Sequence, residues 1–72
     1  MLVEQLRVSL AAARVNANLT QDDVARELHV GKQTIVNWEK GKTEPSISQG
    51  MALSALYKMP LDYIIFLPSK SN

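Results

Sequence analysis

The chain contains no cysteine, and that absence removes a disulfide framework, thiolate metal sites and a cysteine nucleophile. It has a single histidine, which cannot by itself build a His-based metal site. Aromatic residues are scarce at 6%, and the longest apolar run, Tyr63 to Leu67, falls far short of the roughly 20 residues that span a bilayer. Glu4 lies within the first turn, and no basic segment precedes an apolar one, so the start does not read as a signal peptide. An excess of one charge is missing too: 8 Lys+Arg stand against 7 Asp+Glu, a formal net charge of +1. With 72 residues there is no room for a second core, and a domain of this size buries only about 60% of its unfolded surface. The expectation is one cytoplasmic domain over residues 1–68, with a polar tail at 69–72 and no membrane contact.

What is present is a series of short amphipathic segments separated by tight punctuation. Leu2, Val3, Leu6, Leu10 and Ala13 recur at three- and four-residue steps, which predicts a first helix from Leu2 to about Val15. Asn16-Ala17-Asn18 ends it, since Asn tolerates the left-handed conformation common after helices. Thr20 caps a second helix whose first turn holds Asp22 and Asp23, where the positive end of the dipole favours them. Val24, Ala25 and Leu28 are its apolar side. The pattern breaks at His29-Val30-Gly31 and resumes at Lys32, with Ile35 and Trp38 three apart. Gly41 closes this third helix, and Pro45 holds the next residues in a loop. Ser46-Ile47-Ser48-Gln49 is a capping box opening a fourth helix to about Tyr57, with Ile47, Met51, Leu53 and Leu56 as its expected apolar side. Pro60 suits the first turn of a short fifth helix. The prediction is therefore a compact all-α domain of five helices, with no strand pattern.

Residues 21–40, QDDVARELHVGKQTIVNWEK, place two helices of eight or nine residues around a three- to four-residue joint. That is the spacing of a helix-turn-helix, and Ala25 is small enough to let the two helices approach closely. With Ile35 and Trp38 facing inward, a 100° step puts Gln33, Asn37 and Lys40 on the opposite face, and Lys32 at the N-terminal end can also reach out. Residues 31–43 hold Lys32, Lys40 and Lys42 against Glu39, a local +2, whereas residues 20–30 hold Arg26 against Asp22, Asp23 and Glu27, a local −2. Basic charge is thus concentrated around the third helix although the total is near zero.

Here the sequence resembles the Cro/cI-type (XRE) helix-turn-helix family, which includes the lambdoid phage repressors and Cro proteins. Its carriers are Leu19-Thr20-Gln21, Val24-Ala25, Val30, Lys32-Gln33-Thr34-Ile35, Asn37-Trp38-Glu39-Lys40-Gly41-Lys42, Pro45-Ser46 and Leu61-Asp62-Tyr63, together covering about residues 6–66. The run T-I-x-N-W-E-x-G-K followed by P-S is what makes the resemblance specific. The chain departs from the family at Asn18, His29 and Lys58, where glycine is common. Asn and His tolerate positive φ, while Lys58 suggests that helix four ends differently. Gly31 stands where Ser or Thr usually caps the third helix.

The resemblance implies a lambda-repressor-like domain whose third helix enters the major groove of double-stranded DNA. It assigns base readout to Lys32, Gln33, Val36 and Asn37, and backbone contact to Gln21, Thr34, Lys40, Lys42 and Thr43. The chemistry fits, because Gln and Asn pair bidentately with adenine, Lys donates to guanine, and a valine meets a thymine methyl. Arg14 and Glu39 match a structural ion pair between the first and third helices. Trp38 reads as core and His29 as a turn residue. The C-terminal run is more apolar than one short helix needs, so Tyr63, Ile64, Phe66 and Leu67 are candidates for a two-fold dimer interface, with plain core burial as the alternative.

No catalytic residue, cofactor, metal or small-molecule ligand is implied, since there is neither a second histidine nor a glycine-rich phosphate loop. The expectation is a homodimeric sequence-specific regulator, more specifically a repressor, with a regulatory protein partner as a further possibility. The rival from another class is a helix-turn-helix antitoxin or interaction module whose main partner is a protein; an exposed apolar patch left over by the dimer favours it.

Overall fold

A computed structural model describes residues 8–65 of the chain, and each of its elements is started and stopped by identifiable local chemistry. Val8–Ser9 form a short strand, β1, followed by helices α1 (Leu10–Asn16), α2 (Gln21–Leu28), α3 (Lys32–Lys40) and α4 (Ile47–Tyr57). A 3-10 turn at Leu61–Tyr63 leads into a second short strand, β2 (Ile64–Ile65). The described residues therefore contain four α-helices, not five.

Both ends of the domain depart from the sequence reading for the same reason. Ser9 is extended (φ −73°, ψ 164°), and its Oγ accepts from the Ala12 N–H at 3.0 Å, so it caps α1 and cannot lie inside a helix that began at Leu2. Leu2, Val3 and Leu6 lie outside the described residues, as do Phe66, Leu67 and the tail at 69–72. At the other end, the β-branched pair Ile64-Ile65 follows the 3-10 turn as a strand parallel to β1, with Val8 opposite Ile64 and Ser9 opposite Ile65. This two-residue ladder clasps the beginning of the described chain to its end.

The helix starts follow capping chemistry. Thr20 accepts from the Asp23 N–H at 3.0 Å while the Asp23 carboxylate accepts from the Thr20 N–H at 2.8 Å, a reciprocal box. Ser46 and Gln49 build the same arrangement at α4. At α3 the cap is Gly31, extended and without a side chain to offer.

All four helices stop by one device. Positive φ occurs at Asn18 (61°), His29 (60°), Gly41 (79°) and Lys58 (55°). The next N–H then reaches back five residues: Leu19 to Arg14, Val30 to Ala25, Lys42 to Asn37 and Met59 to Ser54, at 2.9–3.2 Å. Lys58 thus takes the left-handed cap that a glycine would take more cheaply, and α4 ends like the other three.

The core forms where the helices meet. Leu10, Ala13, Val24, Ala25, Ile35, Trp38, Leu53, Tyr57 and Ile64 are buried, and Leu28, Val30 and Leu56 pack partly against them. On α4 the buried side is Gly50, Leu53 and Tyr57, while Ile47 (83% exposed) and Met51 (60% exposed) face outward, contrary to the expected apolar side. Apolar residues occur all round α4, so periodicity alone does not mark its inner side.

Candidate nucleic-acid interface

The joint between α2 and α3 is three residues, His29-Val30-Gly31. Val24 and Ala25 on α2 and Ile35 and Trp38 on α3 fill the angle between the two helices and fix it. Because Ile35 and Trp38 point inward, Lys32, Gln33 and Lys40 are exposed, with Thr34, Val36 and Asn37 half-buried. Lys42 and Thr43 are exposed just after α3. Gln33 Nε2 donates to Asn37 Oδ1 at 3.1 Å, one turn apart, so the two amides are already aligned along the helix. Either one retains further donor and acceptor capacity for a base edge.

The opposite side of α3 carries a half-buried polar network. Arg14 Nε donates to Glu39 Oε2 at 2.7 Å and its Nη2 to Glu39 Oε1 at 3.3 Å. Arg14 Nη1 donates to the Leu19 carbonyl at 3.0 Å, tying the end of α1 to the same guanidinium. Gln21 Nε2 donates a third hydrogen bond to the carboxylate, at 2.9 Å from Glu39 Oε1. The Arg14 and Glu39 side chains are 15% and 8% exposed, yet no buried side-chain polar atom among the described residues lacks a partner. The Glu39 hydrogen bond outweighs the cost of burial and holds the Arg14 guanidinium above its usual pKa. Tyr57 packs beside this pair; burial, then the Glu39 charge, push its hydroxyl up to about 12. Backbone and side-chain hydrogen bonds at Thr20 hold the Asp23 carboxyl below its usual range.

Of the residues singled out in the sequence, Lys32, Gln33 and Asn37 share one accessible side of α3. Gln21 lies near them: it lines an open hollow with Arg14, Thr20, Asp22 and Lys32. Ile64 is 5% exposed and belongs to the chain's own core, Tyr63 is half-buried, and Phe66 and Leu67 lie outside the described residues. Sequence reasoning missed the Gln21–Glu39 bond, which joins side chains of two different helices, and the burial of Tyr57, which lies one turn beyond Leu53 on the side of α4 opposite to Ile47 and Met51. Among the described residues no cluster of His, Asp or Glu could hold a metal, and no helix is long and apolar enough to cross a membrane.

Comparison with known proteins places this geometry. A family model described as helix-turn-helix matches residues 10–64, more than half of the chain. An uncharacterized HTH-type transcriptional regulator of Methanocaldococcus jannaschii is 38% identical over 47 residues, covering 65% of this chain and 71% of that protein. The HTH-type transcriptional regulator ImmR of Bacillus subtilis is 32% identical over 56 residues, covering 78% of this chain. The HTH-type transcriptional activator BcrR of Enterococcus faecalis is 30% identical over 56 residues, again 78% of this chain. This chain spans 44% of ImmR and 28% of BcrR. No solved structure matches it significantly.

Proposed function

The chain belongs to the Cro/cI-type (XRE) helix-turn-helix family, and from that premise we propose that it is a DNA-binding transcriptional regulator that reads double-stranded DNA with α3. The observation that carries the reading is the side of α3 that holds exposed Lys32 and Gln33 and half-buried Asn37, on a helix whose other side is locked into the core. Lys32, Gln33, Val36 and Asn37 reach base edges, while Thr34, Lys40, Lys42 and Thr43 meet the phosphates that flank the groove. Gln21, at the first position of α2, takes a phosphate together with the free N–H groups of that terminus.

The proposed working unit is a homodimer acting as a repressor by occupying a near-palindromic operator. One α3 offers few base contacts, and two of them about 34 Å apart would read two half-sites. The second copy is placed on the face formed by Ile47, Met51 and Leu61, beside an apolar hollow lined also by Pro45 and Gly50. Of the C-terminal candidates, Ile64 is buried in the chain's own core, and this exposed face is therefore the one we favour for the second copy. Replacing Ile47 with Lys should shift the sedimenting species toward monomer without lowering the unfolding midpoint. An unchanged oligomeric state would remove this face from the dimer.

The reading is tested by selecting random duplex DNA with the purified protein and sequencing what is bound. A paired motif with half-sites about ten base pairs apart is expected. No enrichment at low salt from folded protein would reject DNA reading and point to a protein partner for the apolar face. Repression is tested separately, by placing the selected site in a reporter promoter.

A further inference from the structure

Gln21 enters the proposed interface already hydrogen-bonded to the core. A carboxylate accepts hydrogen bonds and cannot donate them, so the group that Gln21 turns toward Glu39 is its amide nitrogen, and the orientation of the amide is settled. Glu39 in turn is not free to follow a moving partner. Both of its oxygens are held by Arg14, at 2.7 Å and 3.3 Å, and Arg14 is itself anchored to the Leu19 carbonyl at 3.0 Å. The hold therefore runs in one direction, from an 8%-exposed carboxylate outward to a half-buried glutamine.

The amide nitrogen carries two hydrogens, and Glu39 uses one of them. The other has no hydrogen-bond partner, and Gln21 lines a hollow of about 430 Å³ where Arg14 and Lys32 supply cations and Asp22 one carboxylate. The hollow is open to solvent, so a phosphate oxygen can enter it. A glutamine free in solvent loses rotamer freedom when it meets a phosphate, whereas one already held does not.

We infer that Glu39, through its hydrogen bond to Gln21 Nε2, is a positioning residue for DNA: the Arg14–Glu39 pair holds the phosphate-contacting amide in place before DNA arrives. The inference rests on the DNA-binding reading above. It gives the pair two effects, one on the fold and one on a sequence-independent part of affinity.

The test separates these effects. Replacing the pair by apolar residues of similar size, Arg14→Met with Glu39→Leu, removes both charges together and leaves no stranded ion, so the domain can stay folded. Binding to the selected duplex and to random duplex is measured for the wild type, the apolar-pair variant, Gln21→Ala and the triple variant, each below its melting temperature. The apolar pair should weaken both duplexes alike by about 3- to 10-fold, the scale of ordering one side chain. Gln21→Ala should then cost clearly less in the apolar-pair background than in the wild type. Equal cost in both backgrounds would overturn the positioning role while leaving DNA reading intact. Binding of no duplex by any of the four proteins would overturn both.

A second readout needs no change in stability. In ¹⁵N-labelled wild type, one Gln21 side-chain amide proton should exchange slowly in the free protein and persist on adding duplex, while its twin shifts. Loss of the protected proton on DNA binding would show that Gln21 releases Glu39, and would overturn the proposal.

Discussion

The two sides of α3 solve opposite problems. On the inner side, Ile35 and Trp38 are buried and both Glu39 carboxylate oxygens accept hydrogen bonds, three in all, from Arg14 and Gln21. On the outer side, Lys32 and Gln33 stand in solvent, and Gln33 has only Asn37 as a side-chain partner. Even the helix start reflects the division, for Gly31 gives α3 no side-chain cap where α1, α2 and α4 each have one. Burial forces satisfaction, because an unpaired polar group in the core is costly. Exposure leaves donors and acceptors for a ligand that is not yet there. One nine-residue helix thus carries the fold on one side and, on the proposed reading, turns the other toward DNA.

The largest blow to the inner side is to strand a charge. Arg14→Ala or Glu39→Ala should each destabilise the domain by about 3–5 kcal/mol, seen as a lower midpoint in chemical denaturation. A loss below about 1 kcal/mol would mean that the pair behaves as a surface bridge.

Alkaline pH attacks the same side through Tyr57. Its pKa is about 12 in the fold against an ordinary 10, so the folded state keeps a proton that the unfolded chain releases. That contribution is complete below pH 10 and is lost as pH rises through about 12. Unfolding followed from pH 9 to 12 should show the decline, and Tyr57→Phe should make it shallower. Identical profiles for the two proteins would show that the alkaline decline does not run through Tyr57.

Changes on the outer side should leave stability alone and act on DNA. Gln33→Ala or Asn37→Ala should each cost about 1–3 kcal/mol on the selected site and relax preference at one base pair. Lys42→Ala should weaken all sequences alike and flatten the salt dependence of binding. A loss confined to the selected site would move Lys42 from backbone to base contact.

The smallest effect lies at the boundary between the sides. A Cβ at Gly31 would meet no atom within 4 Å, and the residue already has the extended geometry of a cap. Gly31→Ser should therefore stabilise the domain by a few tenths of a kcal/mol, measured by denaturation. Destabilisation would show that α3 needs its loose start.

Legibility from sequence followed the same division. The inner side of α3 could be read because Ile35 and Trp38 are large and fall at helical spacing, and the caps at Thr20 and Ser46 could be read because each is local chemistry. Positive φ at Asn18 and His29 was legible from residue type, whereas Lys58 was not, since lysine has no special tolerance for it. The β1–β2 clasp escaped because two residues cannot show an alternation, and its pairing joins distant parts of the chain. Ile47 and Met51 were misplaced because α4 is apolar all round, so only packing decides which side is covered. The Gln21–Glu39 bond joins two helices through side chains 18 residues apart, and no local pattern announces it.

The most direct test of the division is one variant carrying Gln33→Ala and Asn37→Ala together, assayed for unfolding and for binding to the selected and a scrambled duplex. The account predicts an unfolding free energy within about 0.5 kcal/mol of the wild type. It also predicts undiminished binding to the scrambled duplex and loss of the selected site's advantage. Equal weakening on both duplexes, or a clear loss of stability, would contradict it.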